Sequence, residues 1–489
     1  MATLTSALNY ALAGLSVSSG QSALVSRNVG SANDENYVRR TAEIRTLPGG
    51  APAIAGFSRS SNSQLLDKLL QSASTSSGKN ALLDALDRLS ALTGDPESDS
   101  SVASALGALQ NSLKAYETNP AESSLAASAF ETARALVQKL NDSGNELITI
   151  RREADAALSD SVGHVNALLS QFKIVNDSIV RGQGTATDLT EALDQRDTIL
   201  KSLSEEIGIR TVTRPNNDLL IYTEGGSVLF EKTPRLVSMK SSGVLEPGTA
   251  GNPVYVDGVP VTGSSATMPI TGGRLAALTE VRDGLAPQVE QQLDKMAAAL
   301  ITGFAEQDKS DPPVLPAVAG LFRDPSGGLP SVGTPPAGLA ARISVNAMAD
   351  PDQGGSPGLI RDGGFGGASY VANRNGLDGY QDRISQLIGS FDQAQDFGLS
   401  GGIGGKVTVG NLATQSAGWI EARRQAAQTG ADAASASRSR ANDALLRVTG
   451  VNIDDEMASL LDLEKSYQAS SKIISIVDAM LSKLLEAVG

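Results

Sequence analysis

The sequence predicts an α+β protein of several domains, with paired coiled-coil-like helices from the two chain ends, a helical bundle and an inserted β-rich domain. Apolar residues recur at steps of three and four near both termini, which is typical of a coiled-coil or bundle helix. Helical patterning also dominates residues 62–207, whereas short apolar strands separated by Pro, Asn and Gly begin at Ile209. At roughly 100 to 200 residues per domain, the 489 residues correspond to about two to four domains.

The composition excludes several classes of protein. The chain contains no Cys and a single His, so disulfides, Cys nucleophiles and zinc fingers are excluded. That residue, His164, falls in the middle of a predicted long helix, where we expect a polar or half-buried helix position, with catalysis as the alternative. The 40 basic and 54 acidic residues give a net charge of −14, which does not favour nucleic acid or an anionic membrane as a partner.

The N-terminal segment predicts a protein-binding helix rather than a signal peptide or a membrane span. No charged residue precedes Arg27, but polar residues interrupt every apolar run. A signal peptide needs about 7 to 15 unbroken apolar residues and a spanning helix about 20, so we expect no cleaved signal and no membrane insertion. The predicted seam consists of Leu4, Leu8, Ala11, Leu15, Ser18, Ser22, Val25 and Val29.

The C-terminal segment repeats this construction. Acidic residues at Asp454, Asp455 and Glu456 lie at the expected start of the helix, where carboxylates favour the positive end of the helix dipole. The predicted seam consists of Leu460, Leu463, Tyr467, Ser470, Ile474, Val477, Leu481, Leu484 and Val488.

Two interpretations of the terminal helices are open at this point. They could pack within an ordinary globular core, or their seams could form part of an assembly interface. The N-terminal helix carries few large aliphatic side chains, and their burial offsets only part of the conformational entropy lost on ordering the segment. We therefore expect the large apolar seam residues of both helices to form an assembly interface, completed when neighbouring copies cover the pair.

The segments between the two ends predict a nested arrangement of domains. Residues 36–60 look extended around a Pro48-Gly49-Gly50 turn, and Asn119 before Pro120 predicts a helix start. A helix at about 273–304, interrupted or kinked at Pro287, is embedded in the outer domain. The predicted domains are the terminal helices, a mainly helical domain with extended linkers and a β-rich outer domain, at residues 1–35 and 448–489, 36–208 and 371–447, and 209–370, respectively.

A possible phosphate-binding loop fails when its positions are compared one by one. The Gly-rich run before Lys406 has Ser400 and Val407 at the positions where such a loop requires Gly and Ser or Thr. Since the chain also has no Cys and a single His, we predict no cofactor, no metal and no catalytic residue.

Charged residues in the middle of the chain predict ion pairs. Asp194 and Asp197 share a helix face beside Arg196, which is typical of a solvated or interhelical ion-pair cluster, with paired active-site carboxylates as the alternative. The Arg39-Arg40 pair is too short for a nucleic-acid site. We expect it to pair with acidic neighbours.

Motifs at both ends resemble those of the bacterial flagellar axial proteins, the family of rod, hook and junction proteins. Residues 26–40 resemble a signature in which Ser-Asn-Asn-Ile-x-Asn precedes Gly-Tyr-x-Arg, with departures at Arg27 and Asn36. Residues 450–456 and 467–470 resemble the family's Val-Asn-Leu-Asp-Glu-Glu and Tyr-Gln-Ala-Asn block. The motif positions at the two ends are Asn28, Tyr37, Arg39, Asn452, Asp454 and Glu456.

The middle of the chain resembles the junction proteins of that family more than its hook proteins. Hook proteins have β structure soon after the N-terminal segment, whereas here a helical domain comes first. The helical domain closes on a charged motif, strands follow, and Gly272-Gly273-Arg274-Leu275 opens the next helix. The residues of the charged motif are Asp194, Gln195, Arg196 and Asp197.

The resemblance implies a structural, non-enzymatic function. Identical subunits would form a ring that joins hook to filament, with the terminal helices in an inner tube and the middle domains outside. It also implies export through the flagellar type III apparatus to the cell exterior, and the hook protein, a second junction protein and a cytoplasmic export chaperone as partners. The alternatives are another axial protein, namely a hook protein or second junction protein, and a flagellum-carried surface hydrolase or adhesin with its site in residues 209–370.

Overall fold

The computed structural model describes residues 2–48, 50–94, 101–185, 187–399, 403 and 405–488. Helices account for most of the chain, which is an α+β protein as predicted. The Gly-rich run tested as a phosphate-binding loop lies largely outside the described residues. The helices are α1 Ala2–Gly30, α2 Ser63–Thr93, α3 Val102–Thr118, α4 Ser123–Gly182, α5 Thr190–Glu206, α6 Gly273–Glu280, α7 Ala286–Gly303, α8 Leu339–Arg342, α9 Leu359–Asp362, α10 Asp382–Asp392, α11 Val409–Thr449 and α12 Ile453–Val488.

The strands form small antiparallel sheets. Strands β1 and β2 make a hairpin, β3 to β6 a four-stranded sheet in sequence order, and β7 to β9 a three-stranded sheet, while β10 pairs with β11 and β12 with β13. The strands are β1 Arg40–Thr46, β2 Pro52–Arg59, β3 Ile209–Thr213, β4 Leu219–Thr223, β5 Val228–Glu231, β6 Thr233–Pro234, β7 Val237–Ser238, β8 Tyr255–Val256, β9 Val259–Pro260, β10 Phe322–Arg323, β11 Ser344–Val345, β12 Gln395–Asp396 and β13 Lys406–Val407.

The two ends of the chain meet, because α1 packs lengthwise against α12. The β1–β2 hairpin, which the sequence predicted as an extended segment, lies against α1. At one crossing, Gly20 leaves room for the side chain of Ile54, since a Cβ at residue 20 would lie 2.5 Å from its Cδ1. A guanidinium–ring contact between Arg27 and Phe57, 5.9 Å to the ring centroid, lies farther along the same face.

Two hydrophobic cores support the rest of the described chain, and α4 runs through both. A helix of 60 residues is about 90 Å long at 1.5 Å per residue, enough to reach both. Its first half packs with α3, α7 and the segment after Phe304. Its second half packs with α5, α6 and the strands between Ile209 and Val261, where Phe172 meets Phe230 edge to face at 4.8 Å.

Small residues allow α2 and α11 to lie close together along much of their length. The contact faces bury Ala73 and Ser76 on α2 and Ala431 and Ala434 on α11. Since these side chains are short, the two helix backbones can approach each other. We call the part of the described chain from α2 to α11 the helical body. The α2–α11 pair connects this body to the start of α12.

The strands of the outer region occupy a shorter segment than the sequence predicted. Seven of them lie between Ile209 and Pro260, and residues 311–370 contain two more strands of two residues each among short helices and turns. The helix predicted at 273–304 is divided between the two cores: α6 packs with the strands in the second core, whereas α7 packs into the first core with α3 and α4. A π-helical turn, Val281–Leu285, lies just before Pro287 and gives the predicted interruption a structural form.

The predicted helix start at Asn119 is wrong. Asn119 follows α3 as its C-cap, with its N–H bonded to the carbonyl of Tyr116 at 3.3 Å, and α4 begins only at Ser123. The proline at 120 disfavours helical dihedrals for the residue before it, so it ends one helix rather than opening the next.

Among the described residues, none of the helices has the length and apolar character needed to cross a membrane.

Candidate assembly site at the base of the terminal helices

Motif residues from four distant parts of the sequence meet where the terminal helices join the helical body. They come from the end of α1, the base of the β1–β2 hairpin, the middle of α5 and the start of α12. We call this group the anchor cluster. Its members are Asn28, Tyr37, Arg39, Arg40, Arg59, Asp194, Asp197 and Glu456.

The side-chain amide of Asn28 joins the two ends of the chain. It donates through Nδ2 to Glu456 Oε2 and to the carbonyl of Arg40, each at 3.0 Å. Its Oδ1 accepts the hydroxyl of Tyr37 at 2.8 Å and the N–H of Arg40 at 3.3 Å. Because Asn28 is buried, all four bonds are shielded from competing water.

The Arg39-Arg40 pair binds acidic residues, as the sequence predicted. Arg39 Nε lies 2.6 Å from Glu456 Oε1, and Arg40 donates to Asp194 Oδ2 at 3.0 Å. The Arg40 guanidinium also lies 4.7 Å from the ring centroid of Tyr37. Burial raises the pKa of the Tyr37 hydroxyl. The hydroxyl therefore keeps its proton at neutral pH and donates the hydrogen bond to Asn28.

Asp194 and Asp197 of α5 receive the arginines of both hairpin strands. Arg59 contacts Asp194 at 2.8 Å and Asp197 at 2.7 Å, and it lies opposite Arg40 in the hairpin register. Burial raises the pKa of Asp197, and Arg59 opposes that rise. The two aspartates therefore form ion pairs as predicted, but the cluster is neither solvated nor interhelical: it joins a helix to a hairpin, and Arg196 is not part of it.

The remaining motif residues have separate positions. Arg196 points to the outer region and donates to the carbonyl and Oδ1 of Asn217 at 2.7 and 3.0 Å. Asn452 accepts the N–H of Asp454 at 3.0 Å and caps the start of α12. The side chains of Gln195 and Asp454 are exposed.

The predicted seams largely face each other in the α1–α12 pair. All the seam residues of α1 are buried or half-buried. The described seam side chains of α12 are also buried or half-buried, except for two that are exposed. Tyr467 is 46% exposed and Leu484 is 45% exposed. The half-buried predicted interface residues are Leu4, Leu8, Leu15, Val29, Leu460, Leu463, Ile474 and Leu481, and Val25 and Val477 are buried.

A second apolar face of α12 was not recognised from the sequence, although one of its residues, Leu484, was included in the predicted seam. Large side chains that point away from α1 follow helical spacing, first at steps of four and then at steps of three, four and four. Such steps place each set on one side of the helix. The sets are Ile453, Met457 and Leu461, then Ile473, Ile476, Met480 and Leu484, and we call the second set the outer stripe.

Arg59 was also missed by sequence reasoning, because it lies outside the family motifs. Its signal was the hairpin register: two strands flanking a tight turn place Arg59 directly across from Arg40. Predicting that register required the bulge between Glu43 and Ile44, which shifts the pairing by one residue.

The described carboxylates of the anchor cluster bind arginines and hydrogen-bond donors. Among the described residues, no group of three or more His, Cys, Asp or Glu side chains is arranged to hold a metal ion. The single histidine, His164, is largely exposed on α4, with Nδ1 at 3.5 Å from a carboxylate oxygen of Glu206. It therefore occupies a polar helix position.

Comparison with known families gives two matches. A profile of the flagellar hook-associated protein FlgK helical domain matches residues 86–311. A profile of the flagellar basal body rod FlgEFG protein C-terminal region matches residues 445–487, which includes most of α12.

Curated relatives include flagellar hook-associated protein 1 from two well-separated bacteria. The Bacillus subtilis protein is 22% identical over 419 residues, which cover 80% of this chain and 77% of that protein. The Salmonella typhimurium protein is 22% identical over 317 residues, covering 62% of this chain and 56% of that protein. A solved structure of the flagellar hook junction protein FlgK from Burkholderia pseudomallei gives a TM-score of 0.44 at 20% identity, over 53% of this chain and 46% of that one.

Proposed function

Because the chain belongs to the flagellar hook-associated protein 1 family, we propose that it is a structural subunit of the flagellum that joins hook to filament. Copies would form a ring in which the terminal helices line the inside and the body faces outward. This function needs no catalytic residue. It needs mutually complementary surfaces on the terminal helices, through which each copy contacts its two neighbours, and a firm attachment of those helices to the body.

The outer stripe is the observation that carries this proposal. Its four side chains are each 45% to 51% exposed, although the opposite face of α12 already packs against α1. A contiguous row of exposed aliphatic side chains is costly in water and marks a protein contact surface. Neighbouring copies placed around a ring would cover it.

The proposal includes specific partners and a location. The ring would contact the hook protein on one side and a second hook-filament junction protein on the other, outside the cell. A cytoplasmic export chaperone would bind α12 before export, which would proceed without a cleaved signal peptide. The outer stripe is an exposed apolar surface of the kind that promotes aggregation, so a chaperone bound to α12 would protect it before assembly.

Polar substitution of the outer stripe tests the proposal. We expect Ile473→Ser combined with Ile476→Ser to abolish filament attachment and motility, because the substitutions remove apolar area from the contact. The matched control is Ile174→Ser on α4, an isoleucine that is 70% exposed on the body. That variant should assemble normally. Both proteins should retain wild-type helix content by circular dichroism.

Normal filaments on cells with the double variant would contradict the proposed interface. Immunogold labelling of the subunit then identifies its place in the flagellum. Label confined to the border between hook and filament fits the proposal, whereas label along the whole hook or at the filament side of the junction would assign it to the hook protein or to the second junction protein.

A further inference from the structure

One turn of α5 is attached to two different parts of the molecule. On one side, Asp194 and Asp197 bind the arginines at the base of the terminal hairpin, as described above. On the other, Arg196 binds the turn between β3 and β4 in the outer region. We propose that this turn, residues 194–197, couples the terminal helices to the outer β region, so that loosening either attachment loosens the other. The proposal goes beyond the assembly function and does not depend on it.

The attachment on the outer side is as specific as the anchor cluster. Arg196 also donates to Asn176 Oδ1 at 3.3 Å, and Asn176 in turn binds Asp218 at 2.7 Å and the N–H of Leu219 at 3.3 Å. The β3–β4 turn contains two consecutive residues in the left-handed region, Asn216 with φ 61° and Asn217 with φ 57°. Such a turn needs outside contacts to hold it.

Arg196 occupies an electrostatically unfavourable position. It is 4% exposed, and its hydrogen bonds go to neutral asparagine groups. Among the described residues it forms no direct ion pair, and its Nε has no hydrogen-bond partner. Burial lowers the pKa of its guanidinium to about 10, and the nearby charge of Asp197 is the main opposing influence.

This dependence on Asp197 links the two attachments. Arg196 lowers the pKa of the half-buried Asp197, in the same direction as the stronger influence of Arg59, and the Asp197 carboxylate binds Arg59 at 2.7 Å. At Arg196 the attraction to Asp197 outweighs the repulsion from Arg59. Removing the charge of Arg196 therefore weakens the attachment of α5 to the hairpin, which Arg196 does not touch. Because coupling between two sites is reciprocal, weakening the hairpin attachment should also loosen the β3–β4 turn.

Native-state hydrogen exchange of the full chain tests the coupling. The hairpin attachment is reported by the N–H groups of Arg39 and Ser60, bonded to Thr449 and Arg39 carbonyls at 2.8 and 3.0 Å. Coupling free energies of typical size correspond to about 5- to 150-fold. We expect Arg196→Gln to lower protection of these amides by at least about fivefold.

The reciprocal experiment uses Asp194→Asn, which should lower protection of residues 214–219. Peptides from the first core, residues 126–140, must keep wild-type protection in both variants. Glu191→Gln removes an exposed charge from the same helix and should change neither attachment.

Loss of protection confined to residues 214–219 in Arg196→Gln would overturn the proposal, since the two attachments would then be independent. If the glutamine variant loses protection over the whole chain, first core included, Arg196→Lys is needed. That variant distinguishes coupling through charge from general destabilisation, because lysine keeps the charge while losing the forked hydrogen bonds. With coupling through charge, Arg196→Lys should retain most of the protection at Arg39 and Ser60. Equal loss at Arg39 and Ser60 in the lysine and glutamine variants would rule out coupling through charge.

Discussion

At the scale of single residues, the amide of Asn28 explains why the anchor cluster needs this side chain. An amide offers donors and an acceptor in one small group, whereas a carboxylate at neutral pH can only accept. Asn28 uses both functions, donating to Glu456 and accepting from Tyr37 and the Arg40 N–H. Aspartate would place a second buried charge beside Glu456 and would lose the donor.

The motifs identified these positions from sequence but not their contacts. Asn28 and Glu456 are 428 residues apart, and no local pattern specifies a pairing over that distance. The resemblance to a family predicted that Asn28, Tyr37, Arg39 and Glu456 matter. The structure adds that they form one hydrogen-bonded group, and that Arg59 belongs to it.

Asp294 predicts a pH dependence of stability that can be measured directly. Burial raises the pKa of this carboxyl from an ordinary value near 3.8 to about 7, although it accepts the N–H groups of Gly338 and Ala340, each at 2.8 Å. The folded state thus binds the proton more tightly than the unfolded state. The contribution of Asp294 to the free energy of unfolding is fully present below about pH 4 and is lost as pH rises to about 7.

The comparison with Asp294→Asn isolates the effect from other carboxylates. Each unit of difference between the folded and unfolded pKa corresponds to about 1.4 kcal/mol. The free energy of unfolding of the wild type, relative to the asparagine variant, should therefore fall between pH 4 and 7 in denaturant titrations. Asp352→Asn, at an exposed carboxylate, serves as the control. If the difference in the free energy of unfolding between wild type and Asp294→Asn is constant over this range, the pKa of the buried carboxyl is not raised.

At the scale of elements, periodicity predicted the long helices and the hairpin because each buries one face at a regular spacing. Periodicity failed at a helix boundary set by a proline and on a helix that is apolar on more than one side. Proline at 120 ended α3 rather than starting α4, and the outer stripe was missed because α12 is apolar on more than one side. A pattern search that looks for one seam cannot recognise a helix with two.

A helix crossing in the first core provides a prediction about glycine. Gly144 of α4 lies against α8, where a Cβ would be 2.8 Å from the backbone nitrogen of Ala341. Asn141 holds the same segment by donating to the carbonyls of Ala340 and Ile343 at 2.8 and 3.1 Å. We expect Gly144→Ala to destabilise the fold by about 1 to 3 kcal/mol, because the helices cannot separate without breaking these bonds.

The same substitution at Gly163 is the matched control. Gly163 lies on α4 as well, and a Cβ there would meet no atom within 4 Å. Alanine should therefore stabilise α4 by about 0.5 to 1 kcal/mol through its higher helix propensity. Thermal unfolding by calorimetry should show a lower midpoint for the first variant and a raised one for the second. Two raised midpoints would mean that the α4–α8 contact is not tight.

At the scale of the whole molecule, the nested order of the chain accounts for the position of the terminal helices. The sequence predicted that helices at the two ends would pair outside a body formed by the middle of the chain. It could not predict the extent of the outer β region, because α7 and residues 305–370 join the helical core through contacts with α3 and α4 that are far apart in sequence. Such contacts leave no local periodicity.

The burial of the terminal helices predicts that they are the least stable part of the isolated subunit. On α1 the buried apolar residues are Ala11, Val17, Leu24 and Val25, and on α12 Val477 is the buried apolar residue among the described side chains. In contrast, α4 buries large side chains along most of its length. Elements with few buried apolar contacts open at lower free energy than the global unfolding of the protein.

Hydrogen exchange of the monomer and of assembled subunits measures this difference. We expect amides between Leu4 and Val29 and between Leu460 and Leu484 to exchange much faster than those of α4 in the monomer. In the proposed ring they should become protected, because neighbouring copies would cover the outer stripe and stabilise the pair. The base of the pair should be the exception, since Asn28 and Glu456 bind each other there, and Arg40 and Arg59 bind Asp194 of the body. Protection of residues 4–29 equal to that of α4 in the monomer would mean that the pair folds completely before it assembles.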